Sequence, residues 1–152
     1  MKYYFETEER QNELKQVLDS WVGTPWRHHC GVKGRGADCI HFVAGVLMDC
    51  GALTWKKGMI PDYAPDWHMH KPNSRMWDGI RKALTVEHVD PANPMNGDLM
   101  LFRFGYATSH SAIFFEGLLY QAVNVVGVQK LRYDDKRFAK NLTYSLRLCD
   151  VG

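Results

Sequence analysis

Two residue types that can carry out nucleophilic chemistry together stand at predicted element boundaries: a cysteine in "ADCIHF" and a histidine that opens "HSAIFFE". Asp38 is a favourable helix N-cap, which makes Cys39 the first residue of the helix that follows. Unpaired amides and the positive end of the helix macrodipole favour thiolate over thiol at this position. The pattern predicts a Cys39 thiolate nucleophile, and its alternative is a small apolar residue that opens a buried stripe.

A thiolate nucleophile needs a base that takes its proton and later protonates the leaving group. His110 fits this role because it opens a predicted strand directly after the tight "GYATS" segment, so a rigid element holds it. The alternative is a strand-end histidine bonded to a backbone carbonyl, which is common in proteins. We therefore take Cys39 and His110 as a candidate dyad.

Two helices and a group of strands must position this dyad. Residues 7 to 22 read as an amphipathic helix, and a second helix runs from Cys39 to a stop at Gly51. After Asp98 the sequence changes to short strand-like runs separated by turn residues: "LMLFRF", "HSAIFFE", "LLYQAVNV", "GVQKLRY" and "LTYSLRL". The order predicts an α+β fold in which residues 98 to 148 form one antiparallel sheet, with His110 facing the start of the Cys39 helix.

The chain of 152 residues is expected to form a single domain, residues 1 to 152, with a Trp-, His- and Pro-rich insertion at about residues 52 to 97. A short helix is predicted within that insertion, around Asp78 to Leu84. With 45% hydrophobic and 24% charged residues, the composition is that of a globular protein.

Charge and termini limit the partners that we expect. A formal net charge of +2, with Lys and Arg scattered along the chain, implies no nucleic acid partner. The N-terminus shows no signal peptide, and no apolar run could span a bilayer, so we expect synthesis in the cytoplasm and no membrane partner. The four cysteines are then expected to be free thiols.

Seven residues of metal-ligand type could suggest a zinc site. Their spacing matches no C-x-x-C, H-E-x-x-H or zinc-finger pattern. We therefore expect no metal and no other cofactor, although stoichiometric zinc in purified protein would revive the idea. The seven residues are His28, His29, Cys30, Cys39, His41, His68 and His70.

Three segments in order, "GTPWRHHCGVKGRGADCIHF", "NGDLMLFRF" and "HSAIFFEGLLYQA", resemble the core blocks of NlpC-type cysteine peptidases. The likeness extends from Gly23 to Val128, and "GTPWRHH" with "YAPDW" is most similar to the branch found in bacteriophage and gene-transfer-agent tail clusters. The resemblance implies a papain-like α+β fold with Cys39 as nucleophile and His110 as base and acid. It also implies that Gln121 orients the imidazole, where the family often has His.

The chain departs from the family pattern around the nucleophile. Trp26 replaces a Tyr whose hydroxyl can point toward the oxyanion. His29 stands where the phage branch has a Gln that could donate a hydrogen bond, and its alternative is a solvated loop histidine. Beside the N-cap Asp38 and Cys39, Ile40 and His41 replace a small Ser-Gly pair. A bulky His41 is expected either to crowd the substrate or to reshape the site.

The resemblance implies hydrolysis of peptide bonds in bacterial cell-wall peptidoglycan, with peptidoglycan stem peptides and phage tail proteins as partners. Such an enzyme would be virion-associated or delivered to the cell wall. Two alternatives remain: a tail assembly module of the same fold without turnover, and a Cys-His amidase, thioesterase or acyltransferase on another substrate.

Overall fold

The computed structural model describes residues 2 to 60, 75 to 105 and 107 to 151 of the chain. Helix α1, Glu8–Trp21, starts after Thr7, whose side chain accepts a hydrogen bond from the Arg10 amide. Helix α2, Cys39–Asp49, starts after Asp38, which caps it in the same way. Both predicted helices are thus confirmed, because the cap residues and the apolar stripes that identify them are local features of the sequence.

Six strands form one antiparallel sheet in the order β3-β8-β4-β5-β6-β7, which confirms the predicted α+β class. A separate two-stranded hairpin, β1 with β2, precedes α2. The elements beyond α1 and α2 are β1 (Gly31–Val32), β2 (Gly36–Ala37), α3 (Arg75–Ala83), β3 (Val86–His88), β4 (Leu99–Phe104), β5 (Ala107–Phe115), β6 (Leu118–Val123), β7 (Gly127–Arg132), α4 (Lys136–Ala139) and β8 (Leu142–Leu148).

The region predicted as an insertion contributes an edge of the sheet. Strand β3 pairs with β8, and α3 begins at Arg75, three residues before the predicted start at Asp78. Three residues of strand are too few to show an alternating pattern, so the sequence did not reveal β3, the β1–β2 hairpin or the single turn of α4. The "YAPDW" segment, His68 and His70 lie outside the described residues.

The sheet buries side chains on both faces. One face carries Leu99 and Leu101 and packs against the core residues of α1 and α2. The other face carries Met100 and Phe102 in a smaller cluster that Phe138 of α4 helps to cover. Burial on both faces explains why "LMLF" is continuously apolar. Within the described residues, no helix has the length and apolarity that crossing a bilayer requires.

The loop before α2 is tied to the far strand of the sheet. The Gly23 amide donates to the Val128 carbonyl and the Val128 amide to the Thr24 carbonyl, at 3.0 and 2.8 Å. Gly127 allows this approach: its φ is +93°, and a Cβ there would lie 2.5 Å from the Thr24 oxygen. The contact holds the segment that contains Trp26 close to the start of α2.

Candidate active site

Asp38 organises the start of α2. Its carboxylate, 4% exposed, accepts hydrogen bonds from the amides of His41, at 2.9 Å, and His29, at 2.8 Å. The same carboxylate contacts the His41 ring at Nδ1, at 2.8 Å. One side chain therefore caps the helix, fixes the loop before it and holds the ring of the next turn, which leaves Cys39 rigidly placed at the first helical position.

Strand β5 meets the start of α2 at an irregularity in its pairing with β4. Phe102 pairs with His110 and Arg103 with Thr108, so Ser109 is an extra residue, as in a β-bulge. The Cys39 thiol donates to the Ser109 carbonyl with an Sγ–O distance of 3.6 Å, and the Ser111 hydroxyl donates to the Cys39 carbonyl at 3.0 Å. The bulge thus brings the residues on both sides of His110 against the nucleophile candidate.

His110 and Gln121 are joined across β5 and β6. The distance from His110 Nε2 to Gln121 Oε1 is 2.7 Å, and Gln121 is fully buried. Because an amide oxygen only accepts hydrogen bonds, this contact places the imidazole proton on Nε2 and leaves Nδ1 with its lone pair. The Gln121 Nε2 group is buried and has no hydrogen-bond partner among the described residues. The Gln121 amide is therefore oriented so that its oxygen accepts from His110, and this orientation leaves its NH2 group without a hydrogen bond.

Three phenylalanine rings surround the His110 ring. The ring centroids of Phe102, Phe104 and Phe138 lie 5.7, 5.8 and 5.6 Å from that of His110. This apolar enclosure disfavours the charged imidazolium, and burial lowers the pKa of His110 to about 4. At neutral pH the ring is therefore an uncharged imidazole.

The surroundings of the Cys39 thiol in this conformation oppose the predicted thiolate. Burial raises the pKa of Cys39 to about 12, and the adjacent Asp38 carboxylate adds to the shift. The Ser111 and Ile40 amides and the Ser111 hydroxyl act in the opposite direction but do not outweigh it. A helix N-terminus favours a thiolate only where desolvation and a neighbouring negative charge do not exceed the effect of its amides.

Cys39 and His110 line the same cavity, yet no hydrogen bond connects them in the described part of the chain. The thiol is bonded instead to the carbonyl of Ser109, the residue next to His110. Catalytic hydrogen bonds are often long or misaligned in unliganded enzymes. The candidate nucleophile and the candidate base therefore lie in one site, and no hydrogen bond joins them in this conformation.

The remaining candidate residues are split between the cavity and the loop behind it. Trp26 lines the cavity and forms a bridge with Ala37. The rings of His29 and His41 contact each other, 4.8 Å apart, and neither is among the described residues that line the cavity. Asp38 holds the His41 ring on that side, and the expectation that His41 crowds the substrate or reshapes the site stays a prediction.

Some residues at the site were not identified from the sequence. Phe138 lines the cavity, and Ser109 and Ser111 contact Cys39. His28, one of the metal-ligand candidates, lines the cavity as well. Both serines flank His110 in the sequence, so their nearness to the site could have been predicted. The β-bulge at Ser109 could not, because no pattern of residue types indicates it. Phe138 belongs to a single helical turn that only tertiary packing brings to the site.

Across residues 2 to 60, 75 to 105 and 107 to 151, no three His, Cys, Asp or Glu side chains are grouped so that they could hold a metal ion. His29 and His41 are instead part of the hydrogen-bonded loop around Asp38.

Comparison with known proteins rests on structure. No protein-family model and no curated protein matches the sequence. An NLP/P60 family protein similar to a lipoprotein, from Staphylococcus aureus subsp. aureus Mu50, matches with a TM-score of 0.66 and 17% identity over 95% of this chain and 43% of its own. An NlpC/P60 family protein from Bacillus cereus ATCC 10987 gives 0.61 and 16% over 89% of this chain and 39% of its own.

A eukaryotic structure matches equally well: NlpC2 from Trichomonas vaginalis has a TM-score of 0.64 and 11% identity over 93% of this chain and 47% of its own. The chain thus spans less than half the length of these solved chains. None of the three names concerns a bacteriophage, so the tail-cluster branch stays a prediction. At these identities the match shows the fold alone, and the chain has the fold of NlpC/P60 proteins.

Proposed function

We propose that this protein is a cysteine peptidase that hydrolyses peptide bonds of bacterial cell-wall peptidoglycan through Cys39, His110 and Gln121. The observation that carries the proposal is the 2.7 Å contact between His110 Nε2 and Gln121 Oε1, because it leaves Nδ1 free to accept a proton at the cavity that Cys39 lines. The NlpC/P60 fold supports the same reaction class.

In the proposed reaction the Cys39 thiol gives its proton to His110 Nδ1 while Sγ attacks the substrate carbonyl carbon. The new C–S bond produces a tetrahedral intermediate, which collapses as the imidazolium protonates the leaving amine and the C–N bond breaks. Water then loses a proton to the imidazole and attacks the thioester, and the acid leaves as the thiol is restored. Gln121 holds the ring and its tautomer throughout, with less stabilisation of imidazolium than a carboxylate would provide.

The neutral starting state determines when the proton moves. Because burial disfavours both the Cys39 thiolate and the His110 imidazolium, proton transfer before substrate binding is unfavourable. Proton transfer is therefore coupled to the attack, and the thiol must first leave the Ser109 carbonyl. Trp26 is retained as the oxyanion-side candidate because it lines the cavity, while Asp38 acts through the placement of Cys39.

The cellular setting is proposed from the sequence resemblance alone. The tail-cluster likeness of "GTPWRHH" and "YAPDW" supports a phage-tail association, with tail proteins as partners and a particle as the delivery route. Co-purification of the protein with intact tails would test this part separately from the chemistry.

Incubation with purified peptidoglycan or muropeptides, with products identified by mass spectrometry, tests the activity. Cys39→Ala and His110→Ala should each remove almost all hydrolysis, because nucleophile and base act as one unit. Gln121→Ala should reduce it by about tenfold, since only a neutral orienting bond is lost, and Gln121→His should retain activity. Loss of activity in the Gln121 variants to the level of Cys39→Ala would contradict the graded roles.

A second candidate function is a tail module of the same fold without turnover. The bond from the Cys39 thiol to the Ser109 carbonyl favours it, because this bond holds the thiol away from the imidazole. Wild-type protein that matches all three alanine variants on every muropeptide would support this alternative and would end the peptidase proposal.

A further inference from the structure

Strand β5 offers both a hydrogen-bond acceptor and a hydrogen-bond donor to Cys39. The Ser109 carbonyl accepts from the Cys39 thiol, with an Sγ–O distance of 3.6 Å. Two residues further along the strand, the Ser111 hydroxyl donates to the Cys39 carbonyl at 3.0 Å. Ser109 and Ser111 flank His110, so both contacts are made next to the candidate base. The first residue of α2 is thus tied to β5 by two hydrogen bonds that run in opposite directions.

These two residues suit different protonation states of the thiol. A carbonyl oxygen only accepts hydrogen bonds, so Ser109 stabilises Cys39 while Sγ carries its proton. A hydroxyl group can donate and can rotate, so Ser111 can bind Sγ once that proton has left. A hydrogen bond to an anion is also about twice as strong as one between neutral groups. Loss of the proton therefore favours exchange of the Ser109 acceptor for the Ser111 donor.

Ser111 acts against the groups that disfavour a thiolate at Cys39. Burial raises the pKa of Cys39 to about 12, and the Asp38 carboxylate adds to the shift. Hydrogen bonds from the Ser111 amide and hydroxyl lower this pKa, as does the Ile40 amide. Of these three donors only the hydroxyl can turn, because the backbones of β5 and α2 fix the two amides. Ser111 is 1% exposed, so its hydroxyl bonds within the protein rather than with bulk water.

We propose that Ser111 is a further catalytic residue, whose hydroxyl turns from the Cys39 carbonyl to Sγ and stabilises the negative charge that develops there. This inference rests on the proposed function and deepens it by one residue. In the first step the thiol proton goes to His110 Nδ1 and Sγ leaves the Ser109 carbonyl, while the O–H bond of Ser111 stays intact. The Cys39 carbonyl retains the helical hydrogen bond that its position in α2 provides.

Ser111→Ala tests the role because it removes the hydroxyl and keeps the amide. Alkylation of Cys39 by iodoacetamide measures the thiolate without any peptide substrate. At fixed pH we expect the alkylation rate to fall about tenfold, because a hydrogen bond to a charged group is lost. Ser111→Thr keeps the hydroxyl on a residue type that strands favour, and it should hold the rate within about threefold of wild type.

Ser145→Ala is the matched control. Ser145 is a buried serine of the same sheet, on β8, and its hydroxyl has no hydrogen-bond partner among the described residues. Its loss removes no bond to Cys39, so the alkylation rate should match that of wild type. Urea unfolding confirms that the variants are folded at the assay pH. If Ser111 only ties β5 to α2, its loss should speed alkylation, because a looser helix start exposes the thiol.

Hydrolysis of muropeptides separates this inference from the proposed function. Ser111→Ala should lower kcat about tenfold and leave KM within about twofold, since the hydroxyl acts on the nucleophile and not on the substrate. Unchanged or faster alkylation, or an unchanged kcat, overturns the role of Ser111, while Cys39-dependent cleavage by wild type still supports the peptidase. Slower alkylation without Cys39-dependent cleavage of any muropeptide overturns the proposed function and, with it, the catalytic role of Ser111.

Discussion

At the scale of single residues, burial sets the protonation of Cys39 and His110 in opposite directions. The charged form of each group is the disfavoured one, so the pKa of the thiol rises to about 12 and that of the imidazole falls to about 4. Both groups therefore favour their uncharged forms in this conformation. Two measurable consequences follow for titration, one for the reactivity of Cys39 and one for stability.

Alkylation of Cys39 by iodoacetamide should accelerate by about tenfold per pH unit from roughly pH 7 to 10 without a plateau. The reason is that the thiolate fraction keeps growing until the pH approaches a pKa of about 12. Peptide mass spectrometry of the Cys39 peptide measures the rate, and Cys39→Ala confirms the assignment. A plateau near neutral pH would mean that the thiolate is stabilised after all.

Acid should destabilise the fold partly through His110. The unfolded chain binds a proton near its ordinary pKa of 6.5, whereas the folded chain binds it only near 4, so stability is lost as pH falls between these values. The contribution is about 2–3 kcal/mol for this half-buried ring. Urea unfolding of wild type and His110→Gln at several pH values isolates it, because Gln keeps a donor toward Gln121 but does not titrate there. Parallel pH curves for the two proteins would contradict the prediction.

At the scale of elements, Asp38 has two roles at the N-terminus of α2. Its carboxylate caps the helix, and its negative charge raises the pKa of Cys39. Asp38→Asn should cost about 1–2 kcal/mol of stability, since an amide group then faces one of the two backbone donors. The same change removes the negative charge that raises the pKa of Cys39, so alkylation at fixed pH should become several-fold faster. Urea unfolding and peptide mass spectrometry measure the two effects. Slower alkylation would show that Asp38 positions the Cys39 thiol but does not raise its pKa.

At the scale of the whole molecule, an ion pair between the ends of β4 and β8 secures the sheet. Arg147 contacts both carboxylate oxygens of Asp98, at 2.8 and 2.9 Å, and Asp98 is fully buried. Arg147→Met should cost about 3–5 kcal/mol because it leaves a buried carboxylate without its partner. Adding Asp98→Asn to that variant should restore part of the loss. Calorimetric or urea unfolding of the single and double variants tests the pair, and additive losses would contradict the coupling.

The sequence by itself determined the helices α1 and α2, the five longer strands and the position of Cys39 at a helix start. These features depend on hydrophobic period, caps and turn residues, which act over a few neighbouring positions. Alternation along β6 also placed Gln121 and Tyr120 on opposite faces. The structure has Tyr120 bonded to Asp19 of α1 and Gln121 bonded to His110.

Only the tertiary structure decided the surroundings of Cys39 and His110, the direction of the His41 ring and the size of the cavity. Each depends on groups that are remote in sequence: Phe138 against His110, and α3 opposite α2. The bulge at Ser109 likewise depends on tertiary structure, because it arises from a register shift in the pairing of β5 with β4. Local patterns predict the position of Cys39 at a helix start, whereas desolvation depends on everything that packs around the side chain, so the sequence could not show that the pKa of this thiol is raised.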